Sequence, residues 1–250
     1  MKRKPRDPNL KTPNARRPIR PFVLLNLAMT ADGKIASANR ALHTFGSPHD
    51  LAHLYELRAT ADAVICGART VEETNATLGT GGAHYRRQRL RRGLATENLR
   101  VIVSGSGSVN PHAKIFQKPG APLLILTTAR APRSRIARFQ QLGAAVKKFG
   151  QQEINLAAAL RWLRAKWKVR RLLCEGGGEL NDAMFRAGLV DELHLTVCPK
   201  IFGGRQAATL ADGRGFARLV NAYPMRLHSW KRIGDELFLV FRKRESTRKA

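Results

Sequence analysis

Residues 170–199 constrain the fold of this chain more than any other stretch. Two arginines precede the apolar run at 172–174, and Glu175 and three glycines follow it. This pattern is typical of a short buried strand that ends in a tight turn. Apolar residues then recur at helical spacing as far as Gly188, where the helix should stop. Residues 193–197 are again rich in apolar and β-branched side chains. The stretch therefore predicts a strand, a glycine turn, a short helix and a second strand, which is a building unit of α/β sheets.

The glycine turn is suited to an anionic ligand. Glycine lacks a Cβ, so the backbone can turn sharply and approach a ligand closely. Free N–H groups at the start of the next helix favour an anionic group there. Glu175 closes the strand, so its carboxylate should point into the crevice at the sheet edge. The pattern is EGGG rather than G-x-G-x-x-G, so it predicts no Rossmann fingerprint, and a tight turn with a surface glutamate is the alternative.

Further strand–helix units precede this stretch, and a hairpin follows it. The hairpin is predicted from two alternating segments, 225–230 and 236–242, joined around Gly234. This order predicts an α/β fold with a mixed, mostly parallel sheet flanked by helices and an antiparallel C-terminal hairpin. The carboxyl ends of such strands converge on one crevice. The earlier strands are predicted at 22–27, 62–67, 100–103 and 122–127.

Local signals place two helices and a loop before the glycine turn. Ser47 followed by Pro48 predicts a helix start. Thr70 is predicted to cap a helix that begins at Val71. Residues 79–92, rich in glycine and then in arginine, are predicted to form an exposed loop that either touches a phosphate or is simply solvated.

One α/β domain accounts for the length of 250 residues. The basic, proline-rich residues 1–20 contain no apolar segment of a signal peptide, so we expect a disordered tail there. Residues 21–244 form the predicted domain, and 245–250 form a short basic tail. No apolar run approaches the length of a membrane span, so we expect no membrane partner.

The three cysteines predict a reducing compartment. They are Cys66, Cys174 and Cys198. Each lies in an apolar, strand-like run, and no C-x-x-C pair occurs. We therefore expect buried free thiols, no metal site and a cytoplasmic location.

The formal net charge of +27 raises the question of nucleic-acid binding. The basic residues are spread along the chain, and an aromatic fraction of 6% is thin for stacking on bases. Diffuse positive charge attracts any anionic ligand, including a dinucleotide or a sugar phosphate. Nucleic acid is therefore an unlikely partner of this chain, and a basic nucleic-acid-binding protein stays open only as an alternative.

Three blocks of sequence resemble a known enzyme family. They are MTADGKIA at 29–36, ADAVICGARTVEETNATL at 61–78 and LLCEGGGELNDAMFRAGLVDELHLTVCPKIFGG at 172–204. In order and spacing they resemble the reductase domain of the riboflavin-biosynthesis deaminase/reductase and its stand-alone relatives, which share a dihydrofolate-reductase-like fold. The resemblance spans about 21–243. It implies an NADPH-dependent reduction of the ribosyl group of a 5-phosphoribosylamino pyrimidine to a ribitylamino group, and it implies a homodimer.

The resemblance also implies roles for individual residues. Lys34 and Glu175 are the expected catalytic residues, with Lys34 donating or stabilising a proton near the ribose. The expected cofactor contacts are Thr70, Ser104, Gly105, Thr127, Gly176, Gly177, Gly178, Glu179 and Leu180. The expected substrate contacts are Asp32, Arg58, Thr74 and Leu78, with Arg58 on the phosphate.

The substrate side departs from the family pattern. The family commonly has an acidic residue or Asn and then Pro where residues 74–76 read Thr-Asn-Ala. The usual arginine that follows is replaced by residues 79–82, and Arg86 or Arg87 is the expected substitute. The motifs of the zinc deaminase half do not occur in the sequence, so we expect another protein to carry out deamination. A reductase of the same fold acting on another pterin-like or pyrimidine substrate therefore stays open.

Overall fold

The computed structural model describes residues 19–41, 44–117 and 120–244. Within these ranges nine strands form one sheet. The strands are β1 (Phe22–Thr30), β2 (Ala63–Gly67), β3 (Leu99–Val103), β4 (Leu123–Thr127), β5 (Ala145–Lys148), β6 (Arg171–Cys174), β7 (Glu192–Cys198), β8 (Met225–Ile233) and β9 (Glu236–Lys243). The helices are α1 (Pro48–Arg58), α2 (Ala68–Thr74), α3 (Ala83–Arg91), α4 (Lys114–Gln117), α5 (Arg133–Gln141), α6 (Leu156–Lys166) and α7 (Gly178–Arg186), with a 3₁₀ turn at Leu219–Asn221.

The sheet has the strand order β5-β4-β3-β2-β6-β1-β7-β9-β8. Strands β1 to β7 pair in parallel, and the terminal strands β8 and β9 pair antiparallel with each other and onto β7. The predicted mixed, mostly parallel sheet with an antiparallel C-terminal hairpin is therefore confirmed. At the centre of the sheet, Leu25 of β1 pairs in register with Cys174 of β6. The residues after this pair, Asn26 and Glu175, both line the cavity described below.

Hydrophobic side chains cover both faces of the sheet. Along β1, Val23 and Leu25 join a buried cluster with α6 and α7, whereas Leu24 joins a second cluster with α1, α2 and α5. This alternation is the period of two that a strand buried on both faces requires. Leu160 of α6 and Met184 of α7 are fully buried on the first face. Burying each such side chain stabilises the fold by about 1.5–3 kcal/mol, and this packing fixes the helices that carry the site.

Polar contacts dock α1 on the antiparallel end of the sheet. Ser47 caps α1 as predicted, and its backbone N–H and hydroxyl donate to the two carboxylate oxygens of Glu236 at 2.7 and 2.5 Å. Further along α1, ring nitrogens of His53 and His194 lie 3.0 Å apart. Burial, with the neighbouring His194, lowers the pKa of His53 to about 4. Strands β7 and β9 therefore fix the orientation of α1.

The predicted loop at 79–92 is wrong, because most of it is the helix α3. Gly82 is its N-cap, and the arginines that follow are good helix formers. Arg89 is fully buried and donates hydrogen bonds to the backbone carbonyls of Arg58 and Ala61 at 2.8 and 2.5 Å. The arginine thus satisfies carbonyls at the C-terminal end of α1, a contact between distant segments that composition does not reveal.

Other expectations concern the cysteines and the chain ends. All three cysteines are free and buried, as predicted, and burial raises the pKa of Cys174 to about 12. The predicted tails at 1–20 and 245–250 fall mostly outside the described residues and stay predictions. Arg20 is described, and its guanidinium donates to both carboxylate oxygens of Asp191 at 2.6 and 2.8 Å. Across 19–41, 44–117 and 120–244, no helix has the length and apolar character to cross a membrane.

Candidate active site

A cavity of about 810 Å³ opens where the carboxyl ends of β1, β2, β3 and β6 meet α1, α2 and the start of α7. Its size falls in the range of small-molecule sites, and its place is where parallel sheets bind ligands. The cavity wall brings together most of the residues predicted from the sequence. These are Arg58, Thr70, Thr74, Leu78, Ser104, Gly105, Glu175, Gly177, Gly178, Glu179 and Leu180.

Asp32 and Lys34 are not part of this wall. The Asp32 carboxylate accepts hydrogen bonds from the Thr30 hydroxyl at 2.5 Å and from the backbone N–H of Gly203 at 2.7 Å. The bond from Thr30 holds the pKa of Asp32 below its ordinary value. Lys34 forms an isolated backbone bridge with Thr209, and its two successors on the chain lie on the wall. Both residues thus order the segments that border the cavity.

Thr127 and Gly176 lie behind the wall. The buried Thr127 hydroxyl donates to the carbonyl of Gly105 at 3.0 Å and so supports a wall residue from below. The Gly176 carbonyl accepts from the N–H of Gly67 at 2.8 Å, which ties the glycine turn to the end of β2. Gly176 has a φ of +80°, a conformation that favours glycine.

Glu175 and Arg58 form a buried ion pair on the wall. The Nε and Nη2 atoms of Arg58 donate to the two carboxylate oxygens of Glu175, each at 2.6 Å, and Nη1 donates to the carbonyl of Gly79 at 2.7 Å. The two side chains are 9% and 11% exposed. Burial acts to lower the pKa of Arg58, but Glu175 outweighs it and raises the pKa. All three guanidinium nitrogens are engaged, so Arg58 meets a ligand only together with Glu175.

Thr70 anchors the glycine turn. Its predicted role as a helix cap is wrong, because α2 begins at Ala68 with Gly67 as the N-cap. The Thr70 hydroxyl instead accepts a hydrogen bond from the N–H of Gly177 at 2.9 Å. Helix α7 starts directly afterwards, at Gly178.

The start of α7 presents unused backbone donors. The first N–H groups of a helix have no partner within it. For Gly178, Glu179 and Leu180, all on the wall, the described part of the chain offers no other acceptor either. Together with the positive end of the helix dipole, these donors make a seat for an anionic group.

Comparison with known proteins identifies the family. The family model of the RibD C-terminal domain matches residues 21–239. The chain belongs to this family. Similar proteins include reductases named for 2,5-diamino-6-ribosylamino-4(3H)-pyrimidinone 5′-phosphate. The one from Methanothermobacter thermautotrophicus is 33% identical over 89% of this chain and 98% of the relative, and the one from Archaeoglobus fulgidus is 32% identical over 87% and 95%.

Solved structures of RibD proteins share the fold. Acinetobacter baumannii RibD superposes with a TM-score of 0.74 at 21% identity, over 91% of this chain. The chain spans 59% of the length of that protein. A pyrimidine reductase-like protein from Corynebacterium diphtheriae has a TM-score of 0.74 at 19% identity, with 90% and 93% of the two chains covered. The predicted dihydrofolate-reductase-like reductase fold is thus confirmed, and membership of this reductase family implies a nicotinamide cofactor.

The wall of this RibD-family domain has two further candidate ligand contacts, Asn26 and Asp50, that the sequence analysis does not predict. Asn26 and Asp50 each have a buried side-chain oxygen, Oδ1, without a hydrogen-bond partner among the described residues. Buried polar atoms normally have partners, so these two oxygens are candidates for ligand contacts. A polar residue inside the apolar run 22–27 was the available signal for Asn26. Asp50 gave no such signal, because an acid in the first turn of a helix has an ordinary structural explanation.

Asp50 is the wall carboxyl with a raised pKa. Burial is the main cause, and the nearby carboxylate of Glu236 adds to it, while a hydrogen bond with Thr196 opposes it. A carboxyl of this kind can hold a proton above the ordinary carboxyl range, which suits it to proton exchange.

Replacing Asp50 by Asn should stabilise the folded protein at neutral pH. Because the folded pKa is raised, the wild-type carboxyl costs stability once the pH rises through that pKa, and this cost disappears when the group is protonated. The gain should therefore shrink at about pH 3, measured as the free energy of unfolding in denaturant. Asp32→Asn is the matched control. Because the pKa of Asp32 is lowered in the folded protein, we expect this substitution to decrease the free energy of unfolding at neutral pH. An equal gain for Asp50→Asn at both pH values would contradict the expectation.

The cavity wall differs in charge from the chain as a whole. The chain has 45 basic and 18 acidic residues. The wall acids are Asp50, Glu72, Glu73, Glu153, Glu175, Glu179 and Asp212, and the wall bases are Arg40, Arg58, Arg69 and Arg186. Acidic groups thus outnumber basic ones on the wall, so an anionic ligand needs donors placed at specific points.

Proposed function

We propose that this protein is the NADPH-dependent reductase that converts the ribosyl group of a 5-phosphoribosylamino pyrimidine to a ribitylamino group in riboflavin biosynthesis. The substrate is 2,5-diamino-6-ribosylamino-4(3H)-pyrimidinone 5′-phosphate or its deaminated counterpart, 5-amino-6-(5-phosphoribosylamino)uracil. The names of the relatives that match nearly their whole length support the reaction. The observation that carries the proposal is the cavity wall, where the Glu175–Arg58 pair lies next to the open N-terminus of α7.

The wall fits a dinucleotide cofactor. Gly177 and Gly178 have no side chains, and the unused N–H groups at the start of α7 suit a pyrophosphate. Ser104 and Gly105 line the cavity at the end of β3 and extend the polar surface. A bound nicotinamide nucleotide supplies the hydride that the reaction requires.

The side chains of the wall supply orientation and proton transfer. Opening of the ribosyl ring moves the proton of the glycosidic N–H to the ring oxygen and leaves a C1′=N double bond. Hydride addition at C1′ and one proton on the nitrogen then give the ribitylamine. Glu175, fixed by Arg58, orients the reacting ribose, and Asp50 exchanges the proton. Lys34 stays a predicted proton donor. The unpaired Oδ1 of Asn26 is placed to accept a hydrogen bond from a pyrimidine N–H.

Turnover of two related substrates tests the proposal. The diaminopyrimidinone and its deaminated counterpart are offered separately with NADPH, and oxidation of the cofactor is followed by absorbance. We expect oxidation with the diaminopyrimidinone, the compound named for the closely matching relatives. Oxidation with neither compound would overturn the proposal, and it would favour another pterin-like or pyrimidine substrate.

NADPH should bind at least about tenfold more tightly than NADH, because an arginine beside the cavity can add charge-assisted bonds to the extra phosphate. Arg130 follows Thr127 closely on the chain but is not on the wall. Arg135 is better placed, since its Nη1 donates to the carbonyl of Ser106, a wall residue, at 3.2 Å. Titration of both cofactors measures the difference. Equal affinities would reject NADPH preference.

A homodimer and a cytoplasmic location complete the proposal. Strand β8 lies at the edge of the sheet and is exposed along most of its length, with Leu227 and Trp230 52% and 65% exposed. Such an edge is suited to contact with a second copy of the chain.

Three buried free thiols fit the reducing conditions of the cytoplasm.

A further inference from the structure

We infer that Arg40 binds the 5′-phosphate of the substrate and selects the phosphorylated over the dephosphorylated compound. The inference rests on the proposed function, in which one end of the substrate carries a phosphate. A phosphate bound in a cavity needs charged or backbone donors that have no competing partner. The cations of the wall can therefore be compared by the partners that each already has.

Three of the four wall arginines are engaged. Arg58 donates from all three guanidinium nitrogens to Glu175 and Gly79, at 2.6 to 2.7 Å. Nη1 of Arg69 donates to Glu179, another wall residue, at 3.1 Å. The Nε of Arg186 donates to Asp182 one helical turn away at 2.8 Å. The wall contains no lysine or histidine among the described residues.

Among the wall cations of the described residues, Arg40 is the one whose side chain donates no hydrogen bond. Its nearest acid is Glu73, and the closest approach, Nη1 to Oε2, is 3.7 Å, beyond hydrogen-bond distance. No side-chain hydrogen bond of Arg40 occurs within the described ranges. The side chain is 35% exposed, so it is partly sheltered by the cavity and still reachable from solvent. A guanidinium in this state can present two parallel N–H groups to a phosphate.

The surroundings of Arg40 match the substrate side of the cavity. Glu73 precedes Thr74 at the end of α2, and both lie on the wall. The Thr74 hydroxyl donates to the carbonyl of Thr70 at 2.7 Å, so its proton is not available to a phosphate. The donor for a phosphate at this point of the wall is consequently Arg40, with Glu73 giving way as the ligand enters.

The arginines of α3 do not supply an alternative. Arg86 and Arg87 are exposed and lie outside the wall. The Nε of Arg86 donates to Glu97 at 2.6 Å. These residues are the sequence-based candidates for a substitute phosphate contact, and neither lines the cavity.

Steady-state kinetics of Arg40→Gln test the inference. With the phosphorylated diaminopyrimidinone we expect KM to rise by about tenfold or more while kcat changes less than about twofold, since a charge-assisted pair is lost far from the reacting bond. With the dephosphorylated compound KM should not change. Arg40→Lys should give an intermediate KM, because an ammonium keeps the charge without the bidentate geometry. Arg87→Gln, which removes the same charge from α3, should behave as wild type.

The inference is overturned if Arg40→Gln has the wild-type KM for the phosphorylated compound, or if both compounds lose affinity equally. Binding of ribose 5-phosphate and of ribose, measured by calorimetry, provides a readout without turnover. Wild type should bind ribose 5-phosphate and Arg40→Gln should bind it at least about tenfold more weakly. If wild type turns over neither pyrimidine but this difference is found, the proposed function fails and the phosphate site stands. If wild type turns over a pyrimidine substrate but Arg40→Gln binds ribose 5-phosphate as tightly as wild type does, the proposed function stands and the phosphate site fails.

Discussion

Replacing Glu175 by Gln should lower the single-turnover rate of hydride transfer by at least about tenfold. The carboxamide has the shape of the carboxylate, but it cannot accept both charge-assisted bonds from Arg58, which are 2.6 Å long. The side chain would then lose the orientation that the ion pair imposes at the end of β6. The rate is measured from the decay of reduced-nicotinamide absorbance after mixing preloaded enzyme with substrate.

Loss of stability must be separated from loss of catalysis in this variant. Arg58 is buried, and leaving a buried charge without its partner costs about 3–5 kcal/mol. Glu192→Gln provides a matched control, because Glu192 is a buried acid paired with Arg242 at 2.7 Å outside the cavity. We expect Glu192→Gln to lose stability without slowing hydride transfer. A wild-type rate in Glu175→Gln would remove Glu175 from the reaction.

Replacing Gly178 by Ala should weaken cofactor binding by at least about tenfold, because overpacking of a rigid site costs about 1–3 kcal/mol. A Cβ at this position would lie 2.6 Å from an Asp212 carboxylate oxygen and 2.8 Å from the backbone oxygen of Thr209. The start of α7 or the loop that carries Thr209 must therefore move, and the N–H groups of the helix start would move with it. The affinity is measured by titration of the reduced cofactor.

Gly82→Ala is the matched control for this substitution. Gly82 also lies at the start of a helix, α3, but a Cβ there would meet no atom within 4 Å. We expect its cofactor affinity to equal that of wild type. Thermal unfolding of both variants shows whether each is folded at the temperature of the titration. If Gly178→Ala binds the cofactor as tightly as wild type does, the start of α7 is not the cofactor site.

The sequence predicts the sheet well because its signals are local. The apolar runs, the alternation in the hairpin and the glycines after Glu175 each depend on neighbouring residues, and β1, β6, β8 and β9 are found where these patterns lie. Most of the residues that the resemblance to the reductase family singles out lie together in one cavity. The three blocks of sequence that carry the resemblance contain the ends of β1, β2 and β6, which meet at the cavity.

The partners of the site residues could not be predicted in the same way. Arg58 and Glu175 are 117 positions apart, and Thr70 and Gly177 are 107 apart. Such contacts depend on which strand ends meet in the folded sheet, and no pattern within either segment encodes them. Helix α3 was missed because its arginines suggested solvation, whereas Arg89 is buried by hydrogen bonds to α1. Lys34 lies off the wall although its successors Ile35 and Ala36 lie on it.

Because the cavity wall is acidic and the chain as a whole is basic, different groups determine the association rate of an anion and its residence time in the cavity. The many exposed arginines and lysines attract anionic molecules over distances comparable to the Debye length, so added salt should slow capture. Inside the cavity, the anion is retained by hydrogen-bond donors at fixed positions, such as the backbone N–H groups at the start of α7. Salt should therefore change the association rate far more than the residence time.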